Sequence, residues 1–352
     1  MREKTKSDLV KMSRKAWYMA YGGIGVMTII LIAIAMRQPP AYLSRDGFLM
    51  GTYVRVVVHS SKDPYMIMDA IFRELKRIEA KFDPYREGSE IYAINKNGAT
   101  LTDIDQETRF VIERSLSIAR ATNGAYDPAL GRIIQLWGFE RISDSSFQPR
   151  VPTQQEIADV LHSSGYYHVE ITSMGIRLLE SAQLDLGGIV KGYAIDRSIQ
   201  VARALDPKVN GYIDAGGDIG FLGAKFGTAD WLVGIQNPRP GSPEDDTPIH
   251  ILYLREGAVA TSGDYQRYFM VDAKRYHHVI NPFTGTPVDG VISSTVIANT
   301  AMDADALSTA AMVLGSEIAV HTIPQLGGQV FLISEQGVHR YSTGFSHFLN
   351  PR

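Results

Sequence analysis

The stretch from residue 276 to residue 315 constrains the fold most, because it predicts a strand, a turn and a helix in one run. Its first half contains the β-branched pair Val279 and Ile280, which favours a strand. Two turn-forming dipeptides follow, Asn281-Pro282 and Thr284-Gly285. Its second half has apolar residues at helical spacing and ends at Gly315, so it predicts a helix.

Asp305 and Thr309 lie four residues apart in this predicted helix, so their side chains share one face. A carboxylate and a hydroxyl in this arrangement are two hard oxygen ligands, which Mg²⁺ and Ca²⁺ prefer. The pair alone fits a second interpretation, in which Asp305 serves the first helical turn and Thr309 is merely buried. The spacing therefore indicates a candidate cation site and leaves the structural alternative open.

Residues 17–36 contain no charged side chain, and their length matches the roughly 20 residues that a membrane-spanning helix needs. Lys and Arg are frequent before this stretch, so the positive-inside rule predicts a cytoplasmic N-terminus and an exported remainder. We predict a cytoplasmic basic tail at 1–16, a single transmembrane helix at 17–36, a linker at 37–47 and one domain at 48–352. A cleaved signal peptide is the alternative, but its apolar region is usually shorter and no clean Ala-x-Ala site follows.

The topology places this domain on the periplasmic, or other extracytoplasmic, side of the inner membrane. The chain has no cysteine, which excludes disulfides, thiolate metal sites, thiol catalysis and a lipid on an N-terminal cysteine. Its net charge of −3 gives no sign of a nucleic-acid-binding surface.

The order of predicted elements indicates the α+β class, because helices and strands do not alternate as regular βαβ units. We expect a single large domain with mixed β-sheets and flanking helices. Residues 48–59 predict the first strand, and residues 63–82 predict an amphipathic helix with one apolar stripe. A strand that begins at Leu184 is predicted to lead into a helix that ends near Leu205.

Three short signals have chemical interpretations that are weak when each stands alone. Gly187-Gly188 before a helix can bring backbone close to a phosphate, and Lys191 one turn later can meet an anion. Glycine pairs are common in turns, however, and a lysine is often simply solvated. His277-His278 offers a metal ligand or a general base, or is a surface pair without a role. Ser262 lacks the Gly-x-Ser-x-Gly context of a hydrolase nucleophile.

The joint order of these motifs is far more specific than any one of them. The motifs run, in chain order, Met50-Gly51-Thr52, Phe82-Asp83 to Ser89-Glu90-Ile91, Gly124-Ala125-Tyr126-Asp127-Pro128, Leu184-Asp185-Leu186-Gly187-Gly188-Ile189-Val190-Lys191-Gly192-Tyr193, Gly216-Gly217-Asp218, Ser262-Gly263, His278-Val279-Ile280-Asn281-Pro282-x-Thr284-Gly285 and Ala304-Asp305-x-x-x-Thr309-Ala310. With this set, the chain resembles the ApbE family, the FAD:protein FMN transferases, over roughly residues 50–315.

The resemblance implies a Mg²⁺-dependent enzyme whose substrate is FAD. Such enzymes attach FMN through a phosphoester to a threonine or serine hydroxyl of another protein and release AMP. The implied FAD-binding residues are Met50, Tyr85, Ala125, Tyr126, Asp127, Asp185, Lys191 and Val279. The implied Mg²⁺ ligands are Asp305, Thr309, the backbone carbonyl of Gly188 and Ser308. His278 matches the position that the family uses as its catalytic histidine.

The resemblance also suggests partners, which are flavin-carrying subunits of membrane electron-transfer complexes of the Na⁺-translocating NADH:quinone reductase or Rnf type. Two features depart from the family pattern: the lipoprotein cysteine of many members is absent, and Asn281 stands where Asp is frequent. Asn keeps the turn-forming chemistry, so we expect a small effect. The alternatives are an exported FAD pyrophosphatase that gives FMN and AMP, and a non-catalytic FAD-binding protein.

Overall fold

The computed structural model describes residues 41–142, 144–242 and 245–351. The predicted tail and transmembrane helix, and the first part of the linker, lie outside the described residues. Within the described ranges, no helix combines the length and the apolar character that crossing a bilayer requires. The first strand begins at Leu43, within the last part of the stretch that was assigned to the linker.

The described residues form fourteen strands and eight α-helices. The strands are β1 (Leu43–Leu49), β2 (Thr52–His59), β3 (Val169–Thr172), β4 (Gly175–Leu178), β5 (Asn210–Ala215), β6 (Asp218–Gly223), β7 (Trp231–Ile235), β8 (His250–Leu254), β9 (Ala258–Gly263), β10 (Tyr268–Val271), β11 (Lys274–His277), β12 (Val291–Ala298), β13 (Gln329–Ser334) and β14 (His339–Tyr341). The helices are α1 (Pro64–Phe82), α2 (Glu90–Asn97), α3 (Gln106–Ala121), α4 (Gly131–Trp137), α5 (Gln154–Leu161), α6 (Val190–Leu205), α7 (Ala301–Leu314) and α8 (Ser316–Gln325).

Eight strands form one large sheet in the order β1-β2-β5-β6-β9-β12-β13-β14. The α+β class is confirmed, but the expectation of mixed sheets was wrong. Every ladder between the described strands is antiparallel. Tight hairpins join β1 to β2 and β5 to β6, and a hairpin necessarily reverses the chain direction.

The first predicted strand proved to be a hairpin. The run 48–59 contains a turn at Met50 and Gly51, whose φ angles are 56° and 69°. Positive φ values end an extended strand. The apolar residues Phe48 and Leu49 before the turn and the β-branched residues after it hide this break from a periodicity argument.

The two faces of the large sheet carry separate cores, because successive strand residues point to opposite sides. In β13, Val330 and Leu332 join the core that contains the buried stripe of α1 and much of α6 and α7. Phe331 and Ile333 join the second core, which includes Trp231 of β7. The helices therefore cover one face, and the β7–β8 hairpin contributes to the cover of the other.

Residues 184–189 form a loop where the sequence predicts a strand. Leu184 is buried, but its backbone groups bond the side-chain amide of Asn95 at 2.7 and 2.9 Å. The backbone N–H of Asp185 donates to the carbonyl of Pro128 at 2.9 Å. In this segment, the side chain of Asn95 and the carbonyl of Pro128 take the place of a neighbouring strand as hydrogen-bond partners. The apolar character of the local sequence does not reveal this difference.

Helix α6 and helix α7 approach each other at Gly192, which positions the residues on either side of it. A Cβ atom at Gly192 would lie 2.1 Å from the carbonyl oxygen of Ala301. The N–H of Gly192 donates to Oδ2 of Asp305 at 3.0 Å. Only glycine permits this separation, so Gly192 sets the distance between Lys191 and Asp305.

We predict that Gly192→Ala destabilises the protein by about 2 kcal/mol, because the methyl group must displace the backbone of α7. Urea unfolding of the purified domain measures the change. Gly241→Ala is the matched control, because no atom lies within 4 Å of a Cβ at that position. The control should change the unfolding free energy by less than about 0.5 kcal/mol. Equal effects of the two substitutions would contradict the close approach.

Candidate active site

A cavity of about 150 Å³ brings together most of the residues that the sequence singled out. Its walls include Tyr85, Ala125, Tyr126, Asp127, Asp185, Gly188, Lys191, His278, Val279, Asp305 and Thr309. These residues come from five separate segments of the chain. The predicted site is therefore one place in the folded protein.

Met50 and Ser308 do not line this cavity. Met50 occupies the β1–β2 turn, where its N–H donates to the carboxylate of Glu79. The turn still lies close by, because a Cβ on Gly51 would be 3.5 Å from Nη2 of Arg267. Ser308 is buried, and its hydroxyl donates to the carbonyl of Asp305 at 2.9 Å and lies 2.7 Å from the hydroxyl of Ser262. Ser308 thus supports a residue that faces the cavity.

Lys191 lies between two buried carboxylates, Asp218 and Asp305. Its ammonium group donates to Oδ2 of Asp218 and lies 3.7 Å from Oδ1 of Asp305. The two carboxylate side chains are only 2% and 4% exposed. Burial disfavours the charge on Lys191, but both carboxylates stabilise it and the net effect raises its pKa. Burial raises the pKa of Asp305 to about 7, with Lys191 opposing and Asp218 adding to the shift.

Oxygen atoms converge around Thr309, where they could hold a hard divalent cation. The hydroxyl of Thr309 lies 3.3 Å from that of Ser262, and a Cβ on Gly188 would be 3.3 Å from the same hydroxyl. The carboxylate of Asp305 lines the same cavity. The described ranges contain no cluster of three His, Cys, Asp or Glu side chains suited to a metal. This site therefore combines one carboxylate with neutral oxygen donors.

The adjacent histidines His277 and His278 have different environments. His277 is buried, and its Nε2 lies 2.8 Å from the carbonyl of Val288. His278 lines the cavity, and its Nδ1 lies 3.3 Å from the carbonyl of Arg267. When Nδ1 donates to that carbonyl, Nε2 carries the lone pair of a base. Burial, together with the cations of Arg267 and Lys191 and with His277, lowers the pKa of His278 to about 3.

Two further carboxylates of the cavity wall, Asp127 and Asp185, accept hydrogen bonds mainly from the backbone. Asp127 accepts from the N–H groups of Ala129 at 2.8 Å and Tyr166 at 2.9 Å, so both of its oxygens hold loops in place. Burial raises the pKa of Asp127 to about 6. Asp185 accepts from the N–H of Gly187 at 2.8 Å and from the hydroxyl of Tyr85 at 3.1 Å.

The side chain of Tyr126 forms another wall, and it is 3% exposed. Its ring lies against Gly188, because a Cβ there would be 3.4 Å from Cε2 of the ring. Its hydroxyl is buried and has no hydrogen-bond partner in the described part of the chain. A buried hydroxyl without a partner is costly, so a ligand that supplies one would be favoured.

Sequence reasoning missed Arg267 and assigned no role to Asp218. The guanidinium of Arg267 lines the cavity and makes no hydrogen bond or ion pair among the described residues. Its place depends on the β10–β11 hairpin, in which Tyr268 is paired with His277, so Arg267 comes opposite His278. That register was not predicted. Asp218 was visible only as the last residue of a glycine-rich turn.

Asn281 confirms the turn interpretation. Its side-chain oxygen accepts from the N–H of Phe283 at 2.9 Å, and its own N–H donates to the carbonyl of Thr286 at 2.8 Å. It is not part of the cavity wall. Val279 and Ile280 lie outside a strand, and Ile280 forms a single bridge to Pro287.

The cavity as a whole suits chemistry on a phosphate. Two cations, Lys191 and Arg267, attract negative charge, and a neutral imidazole faces the same space. Oxygen donors beside Thr309 fit a cation that would share the phosphate oxygens. The described cavity lacks a cysteine nucleophile, because the chain has none.

Comparison with known proteins gives consistent matches. The profile of the ApbE family matches residues 50–332. The FAD:protein FMN transferase of Treponema pallidum is 32% identical over 84% of this chain and 86% of its own length. The crystal structure of the ApbE protein from Thermotoga maritima has 39% identity and a TM-score of 0.84, over 88% of this chain and all of that one. The Pseudomonas stutzeri flavinyl transferase ApbE has 26% identity and a TM-score of 0.76, over 88% and 97%.

We predict that Lys191→Met lowers the unfolding free energy by about 3 kcal/mol at pH 8, because it leaves two buried carboxylates without a cation. The loss should shrink towards pH 5, since burial raises the pKa of Asp305 to about 7 and the folded variant then takes up a proton that neutralises this carboxylate. Urea unfolding at both pH values measures this difference.

Lys208→Met is the control for this substitution, because Lys208 is exposed. It should change stability by less than about 0.5 kcal/mol at either pH. A Lys191→Met effect that does not depend on pH would contradict the coupling of the three buried charges.

Proposed function

This chain belongs to the ApbE family, and we propose that it is an FAD:protein FMN transferase. It takes FAD as substrate, transfers FMN to a serine or threonine hydroxyl of an acceptor protein, and releases AMP. The observation that carries the proposal is that His278, Lys191, Arg267 and the oxygen donors beside Thr309 line one cavity. A base, anion-binding cations and a cation site are what transfer to a weak alcohol nucleophile requires.

His278 is the general base of this proposal. Its Nε2 removes the proton from the acceptor hydroxyl while the hydroxyl oxygen bonds to the flavin-side phosphorus and the bond to AMP breaks. The carbonyl of Arg267 fixes the tautomer through Nδ1. The negative charge of a bound diphosphate offsets the effect of the cations that lower the pKa of His278. The pKa of His278 therefore rises, and His278 becomes a stronger base. General-base catalysis of this kind contributes roughly 10²–10⁴-fold.

The residues present fit Mg²⁺, which prefers oxygen ligands and one or two carboxylates together with phosphate oxygens. The carboxylate of Asp305, the hydroxyl of Thr309 and the backbone carbonyl of Gly188 would hold it. When bound, Mg²⁺ neutralises charge that develops on the phosphate oxygens. Ser308 acts through Ser262 in this proposal, because its hydroxyl is already hydrogen-bonded away from the cavity.

The flavin-side walls provide binding. Tyr85, Ala125, Tyr126, Asp127, Asp185 and Val279 line the cavity. The rings of Tyr85 and Tyr126 offer stacking surfaces for the ring systems of FAD. Asp185 accepts N–H donors rather than phosphate, because a carboxylate would repel a phosphate.

We further propose that residues 17–36 anchor the protein in the inner membrane, with the domain on the extracytoplasmic side. The uncharged stretch and the Lys and Arg residues before it support this topology. The acceptors would then be extracytoplasmic flavin-carrying subunits of electron-transfer complexes, of the Na⁺-translocating NADH:quinone reductase or Rnf type. Family membership supports this choice of partner class.

We predict that the domain, incubated with FAD, Mg²⁺ and threonine-containing acceptor peptides, raises the mass of a peptide by one FMN unit. His278→Ala should lower the transfer rate by roughly 10²–10⁴-fold while FAD binding is kept. His277→Gln is the matched control. This variant should be less stable, because Nε2 of His277 makes a buried contact with the carbonyl of Val288. Its transfer rate per folded enzyme should stay near that of the wild type. Mass spectrometry measures the transfer of FMN to the peptide, and flavin fluorescence measures the binding of FAD.

The same assay separates the alternatives. Free FMN and AMP without a change in peptide mass would identify a pyrophosphatase, in which water replaces the acceptor hydroxyl. Binding of FAD without turnover, unchanged by His278→Ala, would identify a binding protein and refute the transferase.

We predict that Mg²⁺ affinity rises about tenfold per pH unit up to pH 7 and then levels off, because the cation competes with a proton for Asp305. The pKa of about 7 for Asp305 sets the position of this change. Calorimetric titration with Mg²⁺ between pH 5.5 and 8 measures it. Asp305→Asn should remove the pH dependence, whereas Thr309→Val should weaken binding at every pH. An affinity that does not change with pH would exclude Asp305 as a ligand.

A further inference from the structure

A trough continues from the catalytic cavity across the end of the large sheet. It consists of two cavities, of about 190 and 390 Å³, which share the residues Asp214, Gly216 and Gly217. Gln266 borders both the smaller of these cavities and the catalytic cavity. We call this surface the acceptor trough.

The trough lies on the sheet face opposite α6 and α7. In β5, Ile213 and Ala215 belong to the helix-covered core. Asp214 lies between them and therefore points to the other face. A ligand in the trough thus reaches the catalytic cavity from the side opposite the two helices.

One wall of the trough is the turn between β5 and β6. Gly217 has φ of 96°, and no atom lies within 4 Å of a Cβ built there, so the wall is open. One oxygen of Asp214 accepts from the N–H of Gly217 at 2.9 Å. Its other oxygen makes no hydrogen bond or ion pair in the described part of the chain. That oxygen remains free to accept from a ligand.

The opposite wall is formed by β7 and the residue that follows it. Residues 233–236 all border the smaller cavity. Leu252 of β8, which is paired with Val233, borders the same cavity, so the cavity runs along the β7–β8 hairpin. Among the described strands, β7 pairs only with β8. Its other edge therefore presents backbone groups that an extended chain can pair with.

The charges in the trough favour a polypeptide over a nucleotide. Arg55, a cation on its border, is neutralised by Asp46 through hydrogen bonds of 2.8 and 2.9 Å. Asp214 adds a carboxylate. Arg267, which lines the catalytic cavity, is a cation whose guanidinium makes no hydrogen bond or ion pair among the described residues. A diphosphate therefore meets an available cation in that cavity, whereas in the trough it meets the carboxylate of Asp214.

We propose that the acceptor trough binds an extended segment of the acceptor protein as an added strand beside β7. The segment carries its serine or threonine side chain past Gln266 to His278. The hydroxyl proton passes to Nε2 of His278 and then to solvent, the O–P bond to FMN forms, and the P–O bond to AMP breaks. The inference rests on the proposed function and specifies how its second substrate binds.

Thiol labelling tests the proposal, because the chain has no cysteine and an introduced one is the sole target. Gln236 is exposed and borders the trough, so Gln236→Cys accepts a bulky methanethiosulfonate label there. The probe is a peptide library in which each member carries a single central threonine. The label should lower FMN transfer by at least about tenfold, equivalent to about 1.4 kcal/mol, and leave the Kd for FAD unchanged.

Reductant removes the label and should restore transfer, which excludes misfolding as the cause. Gln155→Cys, on exposed α5, is the matched control, and its label should leave transfer unchanged. Transfer at the unlabelled rate by labelled Gln236→Cys would overturn the inference but leave the proposed function intact. Loss of FAD binding would also overturn it, by assigning the trough to the dinucleotide. Failure of the wild-type enzyme to modify any peptide would refute the proposed function itself.

Discussion

The buried contact of Lys191 with Asp218 and Asp305 organises the active site. It joins the first turn of α6, the start of β6 and the middle of α7, so three elements meet at one ammonium group. Two carboxylates with little solvent need a cation beside them, because an unpaired buried charge is costly. Gly192 allows the helices to come close enough for this contact. The same interaction that holds α6 against α7 therefore also orients Asp305 towards the cavity.

Antiparallel topology places the other functional groups around this contact. The β1–β2 and β5–β6 hairpins, the end of β9 and the β10–β11 hairpin all reach the same end of the domain, where Arg267 and His278 become neighbours. Arg267 and His278, the cation and the base of the proposed mechanism, thus flank one hairpin. On the opposite sheet face, the free edge of β7 and the open turn at Gly217 form a separate approach to that base. In the proposed reaction, the dinucleotide and the acceptor segment would therefore use different entrances to the site.

Local patterns predicted those parts of the site that depend on local geometry. Asp305 and Thr309 face one cavity because residues four apart in a helix share a face, and the apolar stripe of α1 is buried for the same reason. Arg267 escaped prediction because its position depends on strand register. The Leu184 segment was mistaken for a strand because its partners are Asn95 and Pro128, which are distant in sequence.

The sequence by itself determined the family, the α+β class and about half of the residues of the cavity wall, since motif order and helical spacing can be read along the chain. Only the tertiary structure decided that the sheet is antiparallel throughout and that Ser308 turns away from the cavity. It alone also showed that Arg267 lines the cavity opposite His278. These features depend on which segments pack together, and packing between distant segments is decided by burial and charge pairing, which periodicity does not encode.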